Sequence, residues 1–200
     1  MKKIAFALLL TLFIAGNAFA QLDPDDDGIG IYLDPCACVN CLELPVGDHL
    51  GYLAITHPTS ELGVGGWEAT ITVEGPCAVT EWELLGNAIN VGSRPNEFIV
   101  GLGEPAINPY TYPSVVVAIV HMYIYDDTTP VEFFIDGIYF HSIPDNSQPA
   151  YLDGADYDII KPLQQIQGSA DLPVAIINGD CDGVVATTNE TFDSLKALYR

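Results

Sequence analysis

Positive charge is what this sequence lacks most. Its 200 residues include 27 Asp or Glu and only 6 Lys or Arg, which gives a formal net charge of −21 at pH 7. Such a surface repels phosphate backbones and anionic lipid headgroups, so the composition argues against nucleic acid and anionic membranes as partners. Hydrophobic residues nevertheless make up 49% of the chain. That share is enough to form a folded core, and it excludes an acidic disordered tail.

The sequence also lacks the short motifs that carry catalysis. It contains no G-x-S-x-G, no H-E-x-x-H and no phosphate-binding glycine loop. Its histidines are scattered and show no metal or nucleophile spacing. Glu81 and Glu83 share one face of a predicted strand, where they are neighbours of like charge rather than a pair that flanks a glycosidic bond. We therefore expect no enzymatic activity, and a secreted polysaccharide hydrolase is the alternative.

Long hydrophobic runs are absent except at the N-terminus. Two lysines precede the apolar run 4–15, and small residues with an A-x-A pattern at Ala18 and Ala20 follow it. These features predict a secretory signal peptide over residues 1–20, cleaved after Ala20. The alternative is an uncleaved anchor, which would need about 20 apolar residues. We expect an exported protein, in the periplasm, at the cell surface or outside the cell, with no membrane span in its mature part.

Cysteines are few, but in an exported protein each is a potential disulfide partner. Cys36, Cys38 and Cys41 lie close together, whereas Cys77 and Cys181 are distant in sequence. We predict that the cluster supplies partners to Cys77 and Cys181, with one thiol left over. The spacing leaves the exact pairing open. A four-cysteine metal site built from Cys38, Cys41 and the two distant residues is the alternative.

Hydrophobic residues recur with a period of two along most of the chain. In the segment 67–74 the odd positions are apolar and the even ones polar, which is typical of a half-buried strand with one exposed face. The segments 50–57 and 96–101 indicate further strands. The segment 114–125 is apolar on both faces, so we expect a central strand, joined as a hairpin to 131–141. Proline and glycine interrupt the chain without a helical period between them, which predicts an all-β fold, an antiparallel β-sandwich.

The C-terminal tail follows a different period. Thr187 and Glu190 have the spacing of a capping box, and apolar residues then recur at helical spacing. We predict a single β-sandwich domain over residues 21–186, followed by a short amphipathic helix over 187–200. The apolar stripe of that helix needs the sandwich or a partner to cover it.

Two acidic loops have the spacing of calcium sites. In each, carboxylate or amide side chains alternate before a glycine: Asp23, Asp25 and Asp27 in the first, and Asn178, Asp180 and Asp182 in the second. Calcium takes about six to eight oxygen ligands, and alternate residues of a tight loop can turn their oxygens inward. The second loop resembles one half of a dockerin-type calcium repeat, although Cys181 lies inside it. We expect calcium as a stabilising cofactor and no other; a solvated acidic turn is the alternative.

A proline-framed loop at 108–113 carries Tyr110 and Tyr112. Tyrosines in such a loop can stack on a sugar or on a protein, and packing of the loop itself is the alternative. Together with the missing catalytic motifs, this loop predicts a non-enzymatic binding or structural module. Its ligand would be a protein, a carbohydrate or further copies of itself, the last as a self-assembling surface subunit.

Several segments resemble recurring phrases of uncharacterised secreted bacterial β-proteins: 87–91, 98–103, 151–154, 173–177 and the tail 195–200, Leu-Lys-Ala-Leu-Tyr-Arg. This resemblance covers most of the mature chain and implies export and a β-rich body, but it carries over no site residues. A second resemblance rests on the strand around 66–68, the long strand at 114–125 and the Asp153-Gly154 turn. It is to cohesin and carbohydrate-binding sandwich folds, and it implies a cohesin-like or jelly-roll-like sandwich.

Overall fold

A computed structural model describes residues 23–106, 114–144 and 146–181 of the chain. The predicted signal peptide and the predicted C-terminal helix lie outside these residues. The described strands are β1 (Gly28–Tyr32), β2 (Cys41–Leu42), β3 (Gly47–Thr56), β4 (Val64–Glu74), β5 (Cys77–Leu84), β6 (Ile89–Asn90), β7 (Glu97–Ala106), β8 (Ser114–Ile124), β9 (Val131–Asp136), β10 (Ala150–Asp153), β11 (Ile160–Pro162), β12 (Gln164–Gln165) and β13 (Ala175–Ile177). No helix in the described part of the chain has the length and apolar character to cross a membrane.

The strands form two sheets that pack face to face. The first sheet has the order β12-β1-β3-β8-β5. The second has the order β11-β10-β4-β9-β13-β2, with β7 also paired to β4 and β6 paired to β7. The predicted all-β sandwich is therefore confirmed. It departs from a purely antiparallel arrangement in two short parallel pairs, β1 with β12 and β2 with β13, which join segments far apart in sequence.

Side chains from both sheets fill one core between them. Ile31 and Leu53 of the first sheet belong to the same buried cluster as Trp67, Phe133 and Ile135 of the second. Each aliphatic or aromatic side chain that is fully buried contributes about 1.5–3 kcal/mol relative to an exposed one. The alternating pattern of the sequence therefore selects which face of each strand turns inward.

The predicted hairpin between 114–125 and 131–141 is wrong. β8 lies between β3 and β5 in the first sheet, whereas β9 lies between β4 and β13 in the second. The turn between them takes the chain across the sandwich, and the Asp126 carboxylate accepts hydrogen bonds from Thr128 and Thr129 within it. An apolar strand has the same pattern whether its neighbour in sequence pairs beside it or lies opposite it, so the pattern could not distinguish the two.

The two halves of β4 have different partners on one edge. Glu68 of the first half pairs with Ala150 of β10, and Thr70 of the second half pairs with Asp136 of β9. The chain that connects β9 to β10 begins at this point. Its first part, residues 137–142, contacts side chains of β4 and β7 and forms one wall of the site described next.

Candidate functional site

The outer face of the second sheet carries a group of apolar side chains, although the chain as a whole has a strongly negative net charge. Trp67 and Ala69 of β4 fill the core, so Gly66 and Glu68 face outward. The aliphatic side chains around them come from four strands or their ends, and we call them the apolar face: Ile89, Val91, Ile99, Leu152 and Ile160. Two of them are highly exposed, with 69% for Ile89 and 67% for Val91. Water is a poor environment for so many neighbouring aliphatic groups.

A groove of about 370 Å³ lies within the apolar face. Its floor is backbone, because Gly66 pairs with Gly101 across β4 and β7, and Ile89 pairs with the same Gly101 from the other side. A Cβ placed on Gly101 would meet no atom within 4 Å, so this position opens into the groove. The missing side chain of Gly101 therefore creates much of the space beside Ile89.

Two buried carboxylates attach residues 137–142 to this face. Glu68 accepts hydrogen bonds from the Ser142 backbone N–H at 3.0 Å and from the Ser142 hydroxyl. Glu97 accepts one from the Tyr139 backbone N–H at 3.0 Å. Glu68 is only 6% exposed, which corrects the prediction that every even position of this strand faces water. Both carboxylates have a structural role here, because each accepts a hydrogen bond from a backbone N–H of this segment.

The same segment presents two exposed aromatic rings, and Tyr139 lines a second hollow with Arg94 and Glu97. Tyr139 is 61% and Phe140 80% exposed, and their ring centroids are 4.7 Å apart. The Arg94 guanidinium lies 3.6 Å from the centroid of the Tyr139 ring, a cation–π contact that orients the pair. Arg94 is thus placed at the edge of an apolar surface, with its charge close to exposed aromatic groups.

In the first acidic loop, the carboxylates of Asp23 and Asp27 have different hydrogen-bond partners, and calcium at this loop stays a prediction. The Asp23 carboxylate accepts hydrogen bonds from the Thr56 hydroxyl at 2.9 Å and the Asp25 backbone N–H at 3.1 Å, and its burial raises its pKa. Asp27 instead accepts hydrogen bonds from Thr59 at 2.7 Å and from the Tyr151 hydroxyl at 2.6 Å. The hydrogen bond from the Asp25 N–H to the Asp23 carboxylate closes a local turn. The Asp27 carboxylate connects Thr59 to Tyr151 of β10.

The second acidic loop is described only as far as Cys181. The Asn178 side chain accepts a hydrogen bond from the Leu44 N–H at 2.7 Å and donates one to the Leu44 carbonyl at 2.9 Å. Its backbone has a φ of 59°, which asparagine tolerates better than most residues. Asp180 follows within the described part, whereas Asp182 lies outside it, as do Tyr110 and Tyr112. Calcium at this loop stays a prediction.

The cysteines confirm one part of the disulfide prediction and correct another. Cys41 and Cys181 form a disulfide with a Cα–Cα distance of 5.7 Å, so the cluster does supply the partner of Cys181. Cys36, Cys38 and Cys77 are free thiols. Cys77 begins β5, and three strand spacings, about 14 Å, separate β5 from β1, whereas a disulfide needs Cα atoms within about 7 Å. The alternative four-cysteine metal site is not formed, because the sulfurs of Cys41 and Cys181 bond to each other.

One group of side chains with metal-binding chemistry was not predicted from the sequence. Asp34, Cys36 and Cys38 bring one ligand atom each to within 4.8 Å of the others. Desolvation, followed by hydrogen bonds with Asp34 and Cys38, raises the pKa of the Cys36 thiol to about 12. The Asp-x-Cys-x-Cys spacing is the signal for this group in the sequence, and the same cysteines also have the spacing of disulfide candidates.

Comparison with known proteins gives a fold likeness and no family. No family model and no curated protein matches the chain. The solved structures similar to it include the sixth cohesin of scaffoldin B from Acetivibrio cellulolyticus, determined in complex with a mutant Cel5 dockerin; the TM-score is 0.47 at 11% identity, over 78% of this chain and 100% of that one.

Two further cohesins show a similar likeness. The third ScaB cohesin of R. flavefaciens, determined with a group 1 dockerin, has a TM-score of 0.45 at 9% identity, over 78% of this chain and 98% of that one. A non-cellulosomal cohesin from Archaeoglobus fulgidus has a TM-score of 0.43 at 10% identity, over 70% and 86%. At such identities the likeness concerns the fold alone.

Proposed function

We propose that the mature chain is a non-enzymatic module that binds another protein through the apolar face. The observation that carries this proposal is the exposure of Ile89 and Val91 next to a groove whose floor is bare backbone. Contiguous apolar patches of this kind mark binding surfaces more often than isolated exposed residues do. Tyr139, Phe140 and Arg94 add a second exposed surface, which belongs to the same segment as Ser142 of the groove and has residue types that are enriched in protein interfaces.

Charge defines the kind of partner. The chain carries a net charge of −21, so a second copy of it would be repelled on approach, and self-assembly is disfavoured. A protein that places an apolar ridge in the groove and basic residues around that ridge would be attracted by the acidic surroundings. Two of the similar cohesin structures hold a dockerin, which is likewise a protein partner.

The composition of the groove favours a protein over a carbohydrate. Sugars need several directed hydrogen bonds, whereas the apolar face offers aliphatic side chains and strand backbone. A secreted hydrolase would need carboxylates free to act on a substrate. Glu68, which lines the groove, and Glu97, further along the same face, accept hydrogen bonds from the backbone of Ser142 and Tyr139.

Two further parts of the proposal rest on the sequence. Export rests on the signal-peptide features of residues 1–20. Calcium as a stabilising ion rests on the spacing of Asp180 and Asp182, with Asn178 as the weakest of the three predicted ligands because its amide already binds Leu44.

Site-specific photo-cross-linking in the producing organism tests the binding surface. A benzoylphenylalanine at Val91 is expected to cross-link one protein, and the same group at Leu50, an exposed leucine of the first sheet, is not. The purified partner should then bind Val91→Asp and Gly101→Gln at least about tenfold more weakly than the wild type, because one places a charge on the patch and the other fills the groove. The matched control Leu50→Asp should bind like the wild type.

Either of two outcomes contradicts the proposal. One is equal cross-linking from both positions, and the other is wild-type affinity in both Val91→Asp and Gly101→Gln. Light scattering adds an independent check, since a stable dimer of the isolated chain at low salt would favour self-assembly over a separate partner.

A further inference from the structure

We propose that Asp34, Cys36 and Cys38 form a binding site for a thiophilic divalent cation, of which zinc is the type. Their ligand atoms lie within 4.8 Å of one another. Around a tetrahedral zinc, with bonds of about 2.0–2.3 Å, such atoms stand about 4 Å apart or less. The three side chains therefore need only small movements, of about 1 Å, to share one ion. This site is separate from the apolar face and does not depend on it.

The loop that carries the three ligands is closed and anchored. It follows β1, and the Leu33 N–H donates a hydrogen bond to the Val39 carbonyl at 2.6 Å across its base. Ala37, at its centre, is fully buried in a small cluster with Tyr32 and has a φ of 56°. Burial of Ala37 holds the middle of the loop against the sheet, while Cys36 stays exposed and Cys38 partly so.

The Asp34 carboxylate is oriented toward the thiols. One of its oxygens accepts hydrogen bonds from the backbone N–H groups of Cys38 at 2.9 Å and Val39 at 3.0 Å. The other oxygen accepts the S–H of Cys36 at 2.6 Å. Hydrogen bonds of the first kind fix a carboxylate as a metal ligand. An ion bound to both the second oxygen and the Cys36 sulfur would take the place of the thiol proton, and these two atoms would move apart to about 3.5 Å.

No basic side chain in the described part of the molecule neutralises this group. Its two Lys and Arg residues are Arg94, which stacks on Tyr139, and Lys161, which forms an ion pair with Asp153. A bound cation would therefore be the only nearby positive charge in this part of the described chain. Two sulfur ligands select zinc or a similarly soft ion over calcium or magnesium, which prefer oxygen. On binding, the two thiol protons pass to solvent and water can complete the coordination.

Cobalt(II) is a suitable probe, because it binds at zinc sites and its absorption spectrum shows whether thiolates are among its ligands. The full exported chain is titrated with cobalt(II) without oxygen. We expect a thiolate-to-cobalt charge-transfer band that saturates at an equimolar amount and disappears when equimolar zinc is added.

Substitutions assign the band to the three residues. Cys36→Ser and Cys38→Ser should each weaken cobalt binding by more than about a hundredfold, since even loss of a supporting group costs about 10–100-fold. Asp34→Asn should weaken it by about tenfold or more. Cys77→Ser is the matched control, because Cys77 is also a free thiol but lies on β5, and it should leave binding unchanged.

The folded state of each variant is checked by circular dichroism, and the wild-type spectrum tests the site even if a variant fails to fold. The proposal is overturned if the wild type shows no charge-transfer band, or if Cys77→Ser removes the band as Cys36→Ser does. It is also overturned if mass spectrometry finds Cys36 and Cys38 joined as a disulfide in protein taken directly from its own compartment.

Discussion

At the scale of single residues, Asp153 forms an ion pair with Lys161, one of the few basic side chains of this acidic chain. Its carboxylate is 2.9 Å from the Lys161 ammonium and accepts a hydrogen bond from the Ser60 hydroxyl at 2.8 Å. Burial alone would raise the pKa of Asp153, but Lys161, Ser60 and the Ala155 N–H together lower it to about 2. The ionised form of this residue therefore stabilises the folded state.

The lowered pKa of Asp153 predicts a pH-dependent contribution to stability. Because the folded pKa is about 2 and the ordinary value is 3.8, the contribution is present above about pH 4 and is lost as the pH falls toward 2. Asp153→Asn should lower the free energy of unfolding by about 2 kcal/mol at pH 7 and by much less at pH 2. Urea denaturation at both pH values measures this, with exposed Asp158→Asn as control. A loss that is equal at both pH values would contradict it.

Glu68 marks the limit of residue-scale prediction from the sequence. The period of two correctly places it on the outer face of β4. It could not show that Ser142, 74 positions later, covers that face and receives the carboxylate. A strand pattern reports which side of a sheet a residue occupies, whereas its exposure depends on chain that arrives from elsewhere.

At the scale of elements, the strands were predictable and their pairing was not. The segments 50–57, 67–74 and 114–125 correspond to β3, β4 and β8, because alternation and β-branched residues are local signals. The partner of each strand depends on where the turns direct the chain. The supposed hairpin of β8 with β9 failed for that reason, and so did the expected bridge from the cysteine cluster to Cys77.

The Cys41–Cys181 disulfide holds an element that pairs weakly on its own. β2 and β13 share only two pairs of residues, and the disulfide joins positions 140 residues apart. Loop closure of this size removes entropy from the unfolded chain, so a Cys41→Ala/Cys181→Ala variant should lose about 3–5 kcal/mol of unfolding free energy. Denaturation in urea measures it, and Cys77→Ala serves as the control for loss of a free cysteine. Equal stability of the double variant and the wild type would show that the bond has no such role.

At the scale of the whole molecule, the composition predicted an acidic surface but not the apolar face on the second sheet. The net charge of −21 predicts a surface that repels anions, and the period of two predicts a sandwich. The apolar face was not predictable, since Ile89, Ile99 and Ile160 belong to strands whose order in the sheet the sequence does not specify. Ile89 and Val91 even alternate with polar neighbours, as residues of a core-facing strand do. The pairing of Ile89 with the outward-facing Gly101 places them on the outer face of the second sheet.

Hydrogen–deuterium exchange tests the binding surface most directly. It is measured on the chain alone and on the chain with the purified partner that cross-linking identifies. Backbone amides of β6, β7 and residues 137–142 should exchange more slowly in the complex, because these segments border the groove. Amides of β3 and β5, on the first sheet, should exchange at unchanged rates. Slower exchange confined to β3 and β5, with β6 and β7 unaffected, would contradict binding through the apolar face.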